Sequence, residues 1–105
     1  MPFDKDGTPT PETLARVEHY FDDKPFNDKT VGEFVKYVYD LWRSNLINLK
    51  GDLLFISTGG WHANEALIMA MQKTSFWHLC WRMSRFGGHY QFDLSKVPKA
   101  GESDE

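Results

Sequence analysis

Residues 53–65 read LLFISTGGWHANE, an apolar run followed by two glycines and the polar start of a helix. The uninterrupted apolar run is typical of a strand that is covered on both faces. Gly59 and Gly60 predict a turn, after which Asn64 or Thr58 caps a short helix. The first N–H groups of a helix lack intrahelical partners and carry its positive dipole end. This stretch therefore predicts a strand, a turn and a helix start that offer N–H groups to an anion.

The composition is that of a single soluble globular domain. Of the 105 residues, 41% are hydrophobic and 26% are charged, which suffices for one hydrophobic core. A folded domain is predicted over residues 10–94, between a flexible lead-in at 1–9 and a disordered tail at 95–105. The chain has no apolar run that would span a membrane and no secretory signal, and its one cysteine, Cys80, has no partner for an internal disulfide. We therefore expect a cytoplasmic protein that carries no cofactor.

Charge is distributed unevenly along the chain. Residues 1–40 carry five Lys/Arg and nine Asp/Glu, a net charge of −4, whereas residues 41–95 carry five and three, a net charge of +2. A general nucleic-acid binder neutralises many phosphates with a broad basic surface. The acidic first part of the chain argues against that class and leaves room for one local anion site in the second part.

Two amphipathic helices are predicted before the apolar run. Thr10 is the predicted N-cap of the first, with Pro11 at its first helical position. The second begins at a predicted capping box, in which Thr30 and Glu33 bond each other's backbone N–H groups. Its apolar face has spacings of three and four and consists of Val31, Phe34, Val35, Val38, Leu41, Trp42 and Leu46. Residues 45–51 are predicted to be a connection.

Residues 76–94 predict a β-hairpin that is closed by Gly87 and Gly88. A pair of glycines suits the positive φ angles of a two-residue type I′ turn. The register that this turn sets pairs Phe86 with His89, Ser84 with Gln91, Met83 with Phe92, Arg82 with Asp93 and Trp81 with Leu94. The face predicted to join the core consists of Trp77, Leu79, Trp81, Met83, Tyr90, Phe92 and Leu94. The opposite, polar face consists of His78, Cys80, Arg82, Ser84, His89, Gln91 and Asp93.

These elements predict an α+β fold in a single domain, in the order helix, helix, strand, helix, strand, strand. The predicted sheet is three-stranded and mixed, with a C-terminal β-hairpin and with helices packed on it. The helix between the first two strands has the length of a right-handed crossover, which favours parallel pairing of those strands. Parallel strands would bring the turns at 57–61 and 84–89 to one edge of the sheet, where open α/β structures bind ligands. Antiparallel pairing would place the turns at opposite ends and remove the site.

Together the two glycine turns contain the residue types of an anion site. They supply backbone N–H groups at residues 59–61, hydroxyls, the guanidinium fork that suits phosphate or carboxylate, and a ring for stacking a base. The predicted ligand-binding residues are Ser57, Thr58, Gly59, Gly60, Trp61, His62, Asn64, Glu65, Arg82, Ser84, Arg85, Gly87, Gly88, His89 and Tyr90. Structural interpretations compete with this one, since the glycine pair can be a plain turn, Arg82 can pair with Asp93 across the hairpin, and Trp61 can fasten the helix to the sheet. The first turn also lacks the Lys-Ser/Thr ending of a P-loop and the third glycine of a dinucleotide-binding loop.

Catalytic and metal-binding alternatives depend on the histidines. His62 and Glu65 are spaced to share one helix face and His89 lies at the other turn, an arrangement that would allow general acid–base chemistry. The helix dipole explains an acidic residue at that position without catalysis. The spacing of His78 and Cys80 matches no zinc motif. No catalytic residue and no metal site are predicted.

The second half of the chain resembles a group of small proteins from tailed bacteriophages and prophages. That group shares the pattern S-T-G-G-W-x-x-N-E, a tryptophan-rich segment and S-R-x-G-G-H-[YF]-x-F, which this chain carries over residues 57–92. The chain departs from the group at His62 and Ala63, where small residues such as Ser-Gly are usual, and at Phe86, where a second arginine is usual. The second departure argues against a double-arginine clamp. The resemblance implies a phage accessory protein that binds or blocks something of the host, and it brings no activity with it.

Three functions are compatible with these observations. The first is a phage accessory protein that binds a small anionic, nucleotide-like ligand at the two glycine turns and acts as a host-defence antagonist. The second is a protein–protein interaction module that binds and inhibits a host or phage protein through exposed aromatic side chains. The third is a small enzyme that uses His62, Glu65 and His89. Membrane binding is not expected, and the short, aromatic-rich chain is consistent with a homodimer.

Overall fold

A computed structural model of the protein describes residues 3–43 and 46–100. In these residues the elements follow the order α1 (Pro11–Glu18), α2 (Asp28–Leu41), β1 (Ile47–Lys50), β2 (Leu53–Ser57), α3 (His62–Met71), α4 (Ser75–Cys80), β3 (Trp81–Arg85) and β4 (His89–Asp93), with a 3-10 turn at Leu94–Lys96. The strands form one antiparallel sheet in the order β1-β2-β4-β3. The predicted α+β class and C-terminal hairpin are confirmed, whereas the predicted three-stranded mixed sheet is wrong. None of the helices in the described residues is long and apolar enough to cross a membrane.

The first two helices begin with side-chain caps. Thr10 caps α1 and Pro11 opens it, as predicted. In α2, the side chain of Asn27 accepts the N–H of Thr30, and the Thr30 hydroxyl accepts the N–H of Asn27. The capping box therefore runs from Asn27 to Thr30, and the prediction that Thr30 pairs with Glu33 is wrong.

The edge strand β1 lies inside the stretch that was predicted to be a connection. It pairs with β2 through a hairpin whose loop is Gly51-Asp52. The φ angle of Gly51 is +58°, which a glycine adopts without strain. Only Ile47 of this short strand is buried and the other three residues are exposed, so the alternation that predicts a strand is missing.

Residues 75–80 form the helix α4, where the sequence predicted the first half of a strand. The hydroxyl of Thr74 accepts the N–H of Trp77 and caps this helix. One helical turn brings Phe76 and Cys80 together into the core, while Leu79 stays exposed. The predicted division of these residues into core and polar faces is therefore wrong.

A three-residue loop, Phe86-Gly87-Gly88, closes the hairpin between β3 and β4. The observed pairs are Trp81 with Phe92, Met83 with Gln91, Ser84 with Tyr90 and Arg85 with His89, with a bulge between Trp81 and Met83. The predicted two-residue loop is wrong. The register differs from the predicted one by one residue between Met83 and Arg85, and by two residues at Trp81, beyond the bulge. Since a one-residue shift turns side chains to the other face of the sheet, Met83 lies beside Gln91 and not in the core.

The strands β2 and β3 run in the same direction but are not neighbours. The strand β4 lies between them and is antiparallel to both. The predicted parallel pairing is therefore wrong, because the last strand of the chain inserts into the middle of the sheet. The carboxyl ends of β2 and β3 nevertheless lie at the same edge, and the turns that follow them meet there.

The hydrophobic core lies between the helices and one face of the sheet. The rings of Phe34, Phe76 and Phe92 form a chain with centroid distances of 5.2 and 5.0 Å, which links α2, α4 and β4. Leu54 lies opposite Phe92 on this face and is buried. Phe55, on the other face, is only half-buried. The apolar run at 53–56 was predicted to be covered on both faces of the sheet, but the helices cover it on one face only.

Segments at both ends of the domain pack against it. Phe3 forms an isolated bridge with Pro9, which closes part of the predicted lead-in into a loop. Residues 95–100, from the predicted disordered tail, are held in place, because Val97 is buried and Pro98 O accepts the N–H of Asp28 at 2.8 Å. The remainder of the predicted lead-in and tail, residues 1–2 and 101–105, lies outside the described residues.

Candidate functional site

The two glycine turns lie side by side. Thr58 N–H donates to Gly88 O at 3.0 Å, and Ser57 Oγ is hydrogen-bonded to His89 Nδ1 at 2.7 Å. The φ angle of Gly88 is +82°, and a Cβ at this position would collide with Thr58 Oγ1. The hairpin loop fits against the first turn only because residue 88 has no side chain.

The first turn is held together by buried polar side chains. Asn64 is fully buried, and its Oδ1 accepts Arg43 N–H at 2.9 Å. Its Nδ2 donates to Arg43 O and to Thr58 O, both at 3.1 Å. Asn64 thus ties the start of α3 to the chain that leaves α2 and to the turn. Asn64 and Thr58, two of the predicted ligand-binding residues, are therefore buried and bonded to the backbone of the fold.

The N–H groups of this turn are largely used inside it. Trp61 N–H donates to Thr58 O at 3.1 Å, and Gly60 N–H donates to Thr58 Oγ1 at 3.4 Å. At Gly59, a Cβ would collide with Leu46, so this glycine allows a close approach of two chain segments. The first turn therefore offers fewer N–H groups to an anion than the sequence predicts.

Trp61 and His62 lie at the start of α3. The ring of Trp61 is 47% exposed and its centroid lies 5.5 Å from Arg43 Cζ, a cation–π distance. The side chain of His62 is almost fully exposed, with Nδ1 3.9 Å from Glu65 Oε1. Neither Trp61 nor His62 is among the residues that line the two grooves beside the paired turns.

The first groove lies on the open face of the sheet and has a volume of about 440 Å³. Its lining residues are Phe55, Ile56, Ser57, Met83, Arg85, His89, Tyr90 and Gln91. The strand register arranges six of them in two rows that cross β2, β4 and β3. One row has the apolar Phe55 and Met83 at its ends and Gln91 between them, and we call it the apolar row. The polar row consists of Ser57, His89 and Arg85. Within the described residues, Arg85 forms no ion pair.

The second groove lies on the helical side of the hairpin loop and has a volume of about 330 Å³. Its lining residues are Thr58, Glu65, Ile68, Met69, Gln72, Gly88 and Tyr90. Glu65 is half-exposed and supplies a carboxylate, which repels an anion. Of the two grooves at the paired turns, the second is therefore the less suited to an anion.

Arg82 and Ser84 have other surroundings. Ser84 Oγ accepts Trp81 Nε1–H at 2.8 Å. At the far end of β4, Asp93 accepts the hydroxyl and the N–H of Ser95, and these bonds, helped by the charges of Lys96 and then Arg82, lower the pKa of Asp93. Arg82, at the bulge of β3, thus acts on Asp93 from across the hairpin, although among the described residues the two form no ion pair.

The residues weighed for catalysis do not converge. His89 lines the first groove, Glu65 lines the second, and His62 lines neither. In the described part of the chain, no three His, Cys, Asp or Glu side chains are arranged to hold a metal ion. Burial raises the pKa of the Cys80 thiol to about 11, which disfavours the nucleophilic thiolate.

The sequence prediction missed the apolar row of the first groove. Phe55 was assigned to a strand covered on both faces, and Met83 to the core. A three-residue hairpin loop would have placed Met83 beside Gln91, so the loop length is the signal that was misjudged.

The chain matches no protein-family model, no curated protein and no solved structure. A function for the first groove is therefore inferred from the residues that line it.

Proposed function

We propose that the protein binds a small anionic ligand with a planar ring, such as a nucleotide, in the groove on the open face of the sheet. The observation that carries this proposal is the polar row directly beside the apolar row, on the same face of the same three strands. Corresponding residues of the two rows are two positions apart along each strand, which is about 7 Å. One small molecule can therefore contact both rows.

The polar row supplies the anion end of the site. Arg85 presents a planar, permanently charged fork that suits phosphate or carboxylate. His89 stands directly opposite Arg85 in the sheet, and its hydrogen bond with Ser57 fixes the orientation of the imidazole ring. These three side chains favour an anion without covalent chemistry.

The apolar row supplies the ring end. Phe55 and Met83 are half-buried, so a ring bound here covers apolar surface and gains stacking and sulfur–aromatic contacts. Gln91 stands between them, and its amide can both donate to and accept from the edge of a base. This row favours a nucleotide over an inorganic anion.

The ligand is held and not transformed in this proposal, because His62, Glu65 and His89 do not share a groove. Sequestration of a host nucleotide is the form of host-defence antagonism that such a groove suits. The resemblance to phage proteins supports this role.

The test is calorimetric titration of the protein with AMP, ATP, cyclic AMP and pyrophosphate, together with thermal shift. A bound nucleotide stabilises the fold by about 2.7 kcal/mol at a concentration about 100-fold above Kd. Arg85→Gln weakens binding about tenfold, because it removes a charge-assisted hydrogen bond. Arg82→Gln is the same change in the same strand, and this variant binds like the wild type. No stabilisation by any of these compounds, or an equal loss in both variants, contradicts the proposal.

A second candidate function, binding to a host or phage protein, is favoured by a different observation. Phe86 is fully exposed at the tip of the hairpin, and Trp61 is 47% exposed at the neighbouring turn. Exposed aromatic side chains of this kind often anchor protein interfaces. If this function holds, a host protein is retained by the wild type and lost with Phe86→Ser, while nucleotide binding is unchanged. Equal retention by both proteins counts against Phe86 as an anchor.

A further inference from the structure

The polar row of the first groove lies at the end of the sheet. Ser57 and Arg85 are the last residues of β2 and β3, and His89 is the first residue of β4. Ser57 N–H donates to Leu46 O at 2.8 Å, so an apolar residue lies beside one end of the row. Arg85, at the other end, belongs to an edge strand of the sheet. A ligand group that extends beyond this row therefore passes over the two glycine turns or into solvent.

The first groove carries one permanent positive charge. Arg85 is the only lysine or arginine among the described residues that line it, and none of those residues is Asp or Glu. The glycine turns add no charge, because residues 58–60 are Thr-Gly-Gly and residues 86–88 are Phe-Gly-Gly. A single guanidinium fork matches a single phosphate, which it binds with two parallel N–H···O bonds.

The basic side chains beside the first turn have other partners. Arg43 Cζ lies 5.8 and 5.5 Å from the ring centroids of Phe3 and Trp61, so this guanidinium is in cation–π contact with both rings. His62 Nδ1 lies 3.9 Å from Glu65 Oε1, and neither Arg43 nor His62 lines the groove. The N–H groups of the first turn are largely bonded within the paired turns. A second phosphate past the polar row would therefore lie in water, away from the cations of the described residues.

We infer that the groove selects nucleoside monophosphates, because it binds one phosphate and gains no affinity from further phosphates. This inference rests on the proposed function, which places the base on the apolar row and the phosphate on the polar row. The sugar stands between the base and the first phosphate, so the second and third phosphates of ATP extend away from the base and past the polar row. An exposed phosphate stays hydrated and gains little from distant charges.

The donor groups of the groove also disfavour a polyphosphate that carries Mg²⁺. Sites for such ligands hold the metal through one or two carboxylates together with the phosphates. None of the described lining residues supplies a carboxylate, and elsewhere in the described part of the chain no three His, Cys, Asp or Glu side chains are arranged to hold a metal ion. The metal of MgATP therefore has no protein ligand at this groove, and nucleotide binding does not depend on Mg²⁺.

A cation that is added past the polar row gives one test of the inference. Phe86 follows Arg85 in the chain and is fully exposed, so its replacement leaves the core intact. In calorimetric titrations, Phe86→Lys is expected to raise the affinity for ATP about threefold relative to that for AMP, because the lysine reaches the extra phosphates. Phe86→Gln is the matched control with a long neutral side chain, and its ratio of the two affinities stays at the wild-type value. An unchanged ratio in Phe86→Lys contradicts the inference, since the extra phosphates would then not pass the polar row.

Calorimetric titration of the full wild-type chain with adenosine, AMP and ATP, with and without Mg²⁺, gives the decisive measurement. AMP is expected to bind about tenfold more tightly than adenosine, because only AMP brings a phosphate to Arg85. ATP is expected to bind no more than about threefold more tightly than AMP, with or without Mg²⁺.

Failure of this inference and failure of the proposed function give different results in that titration. If ATP binds more than about threefold more tightly than AMP, or binds only with Mg²⁺, the restriction to one phosphate is overturned while the groove remains a nucleotide site. If no nucleotide binds, or if adenosine binds as tightly as AMP, the polar row holds no phosphate. That result overturns the proposed function and this inference with it.

Discussion

The two glycine turns touch each other, yet their side chains are used differently. In the first turn, Thr58 and Asn64 are buried and bond to backbone groups of the fold. In the hairpin that forms the second turn, Arg85 and His89 are exposed at the end of a groove. The pattern that stands out most in the sequence, S-T-G-G-W-x-x-N-E, therefore serves mainly to shape the chain. The groups available to a ligand lie on the strands beside it.

The largest effect is expected from Asn64→Ala. This change removes three hydrogen bonds. The N–H and C=O of half-buried Arg43 lose the Asn64 amide as a partner, and buried Thr58 O keeps only the bond from Trp61 N–H. We expect the free energy of unfolding to fall by about 3 kcal/mol in urea denaturation. Asn48→Ala, at an exposed position of β1, is the control and should change it by less than about 0.5 kcal/mol. If the free energy of unfolding fell equally in the two variants, Asn64 would not have the structural role that its hydrogen bonds indicate.

The contact between the turns is probed by Gly88→Ala. Its methyl group would collide with Thr58 Oγ1, and its φ angle is +82°. Gly87→Ala is matched to it, because φ is +95° there but the nearest atom lies 3.5 Å away, in the ring of His89. Both variants have a strained backbone, so we expect losses of about 2 kcal/mol for Gly88→Ala and about 1 kcal/mol for Gly87→Ala. A larger loss for Gly87→Ala in urea denaturation would show that the turns do not depend on this contact.

The helix-covered side of the sheet also differs from the open face in its chemistry. Burial, and secondarily the charge of Asp93, raises the pKa of Cys80 from 9.0 to about 11. The folded state thus favours the neutral thiol, and the stability that this gives is present below pH 9 and is lost as the pH rises toward about 11. Urea denaturation between those pH values should show the loss, which Cys80→Ala reduces. Rapid alkylation of the native protein at pH 8 would contradict the closed position of this thiol.

The sequence predicts the fold where a local pattern is long or a cap is explicit. The start of α1 at Thr10 and Pro11 follows from capping alone, and the apolar spacing of α2 exceeds three turns. The strand β1 has one buried residue, too few for a pattern. In α4 the aromatic residues favour a strand, but the cap at Thr74 and the packing of Phe76 in the core select a helix. In α4 the cap and the core packing override the local β preference, whereas β1 is defined by its pairing with β2.

The site is predicted only in part, because its geometry depends on a loop of two or three residues. Glycines at 87 and 88 permit either length. In the structure the loop has three residues, and Gly88 O in this loop accepts a hydrogen bond from Thr58 N–H. Such a contact between distant parts of the chain cannot be predicted from the loop sequence alone. The sequence correctly predicts that the two turns are adjacent. The predicted reason, parallel pairing of the strands before them, is wrong, because β4 lies between β2 and β3 and pairs with both. The apolar row depends on the register, so Phe55 and Met83 were missed.

The smallest effect on stability is expected from Ser57→Ala. Its hydrogen bond to His89 is exposed, and water replaces it at a cost of about 0.5 kcal/mol in the free energy of unfolding. Loss of this bond frees the imidazole ring, so we expect nucleotide affinity to fall about threefold to tenfold by calorimetry. Ser84→Ala breaks a comparable exposed bond, to Trp81, outside the groove, and should leave affinity unchanged. A hydroxyl that serves only to orient His89 affects binding and not folding. If Ser57→Ala lowered the free energy of unfolding by more than about 2 kcal/mol, Ser57 would instead have a structural role like that of Thr58.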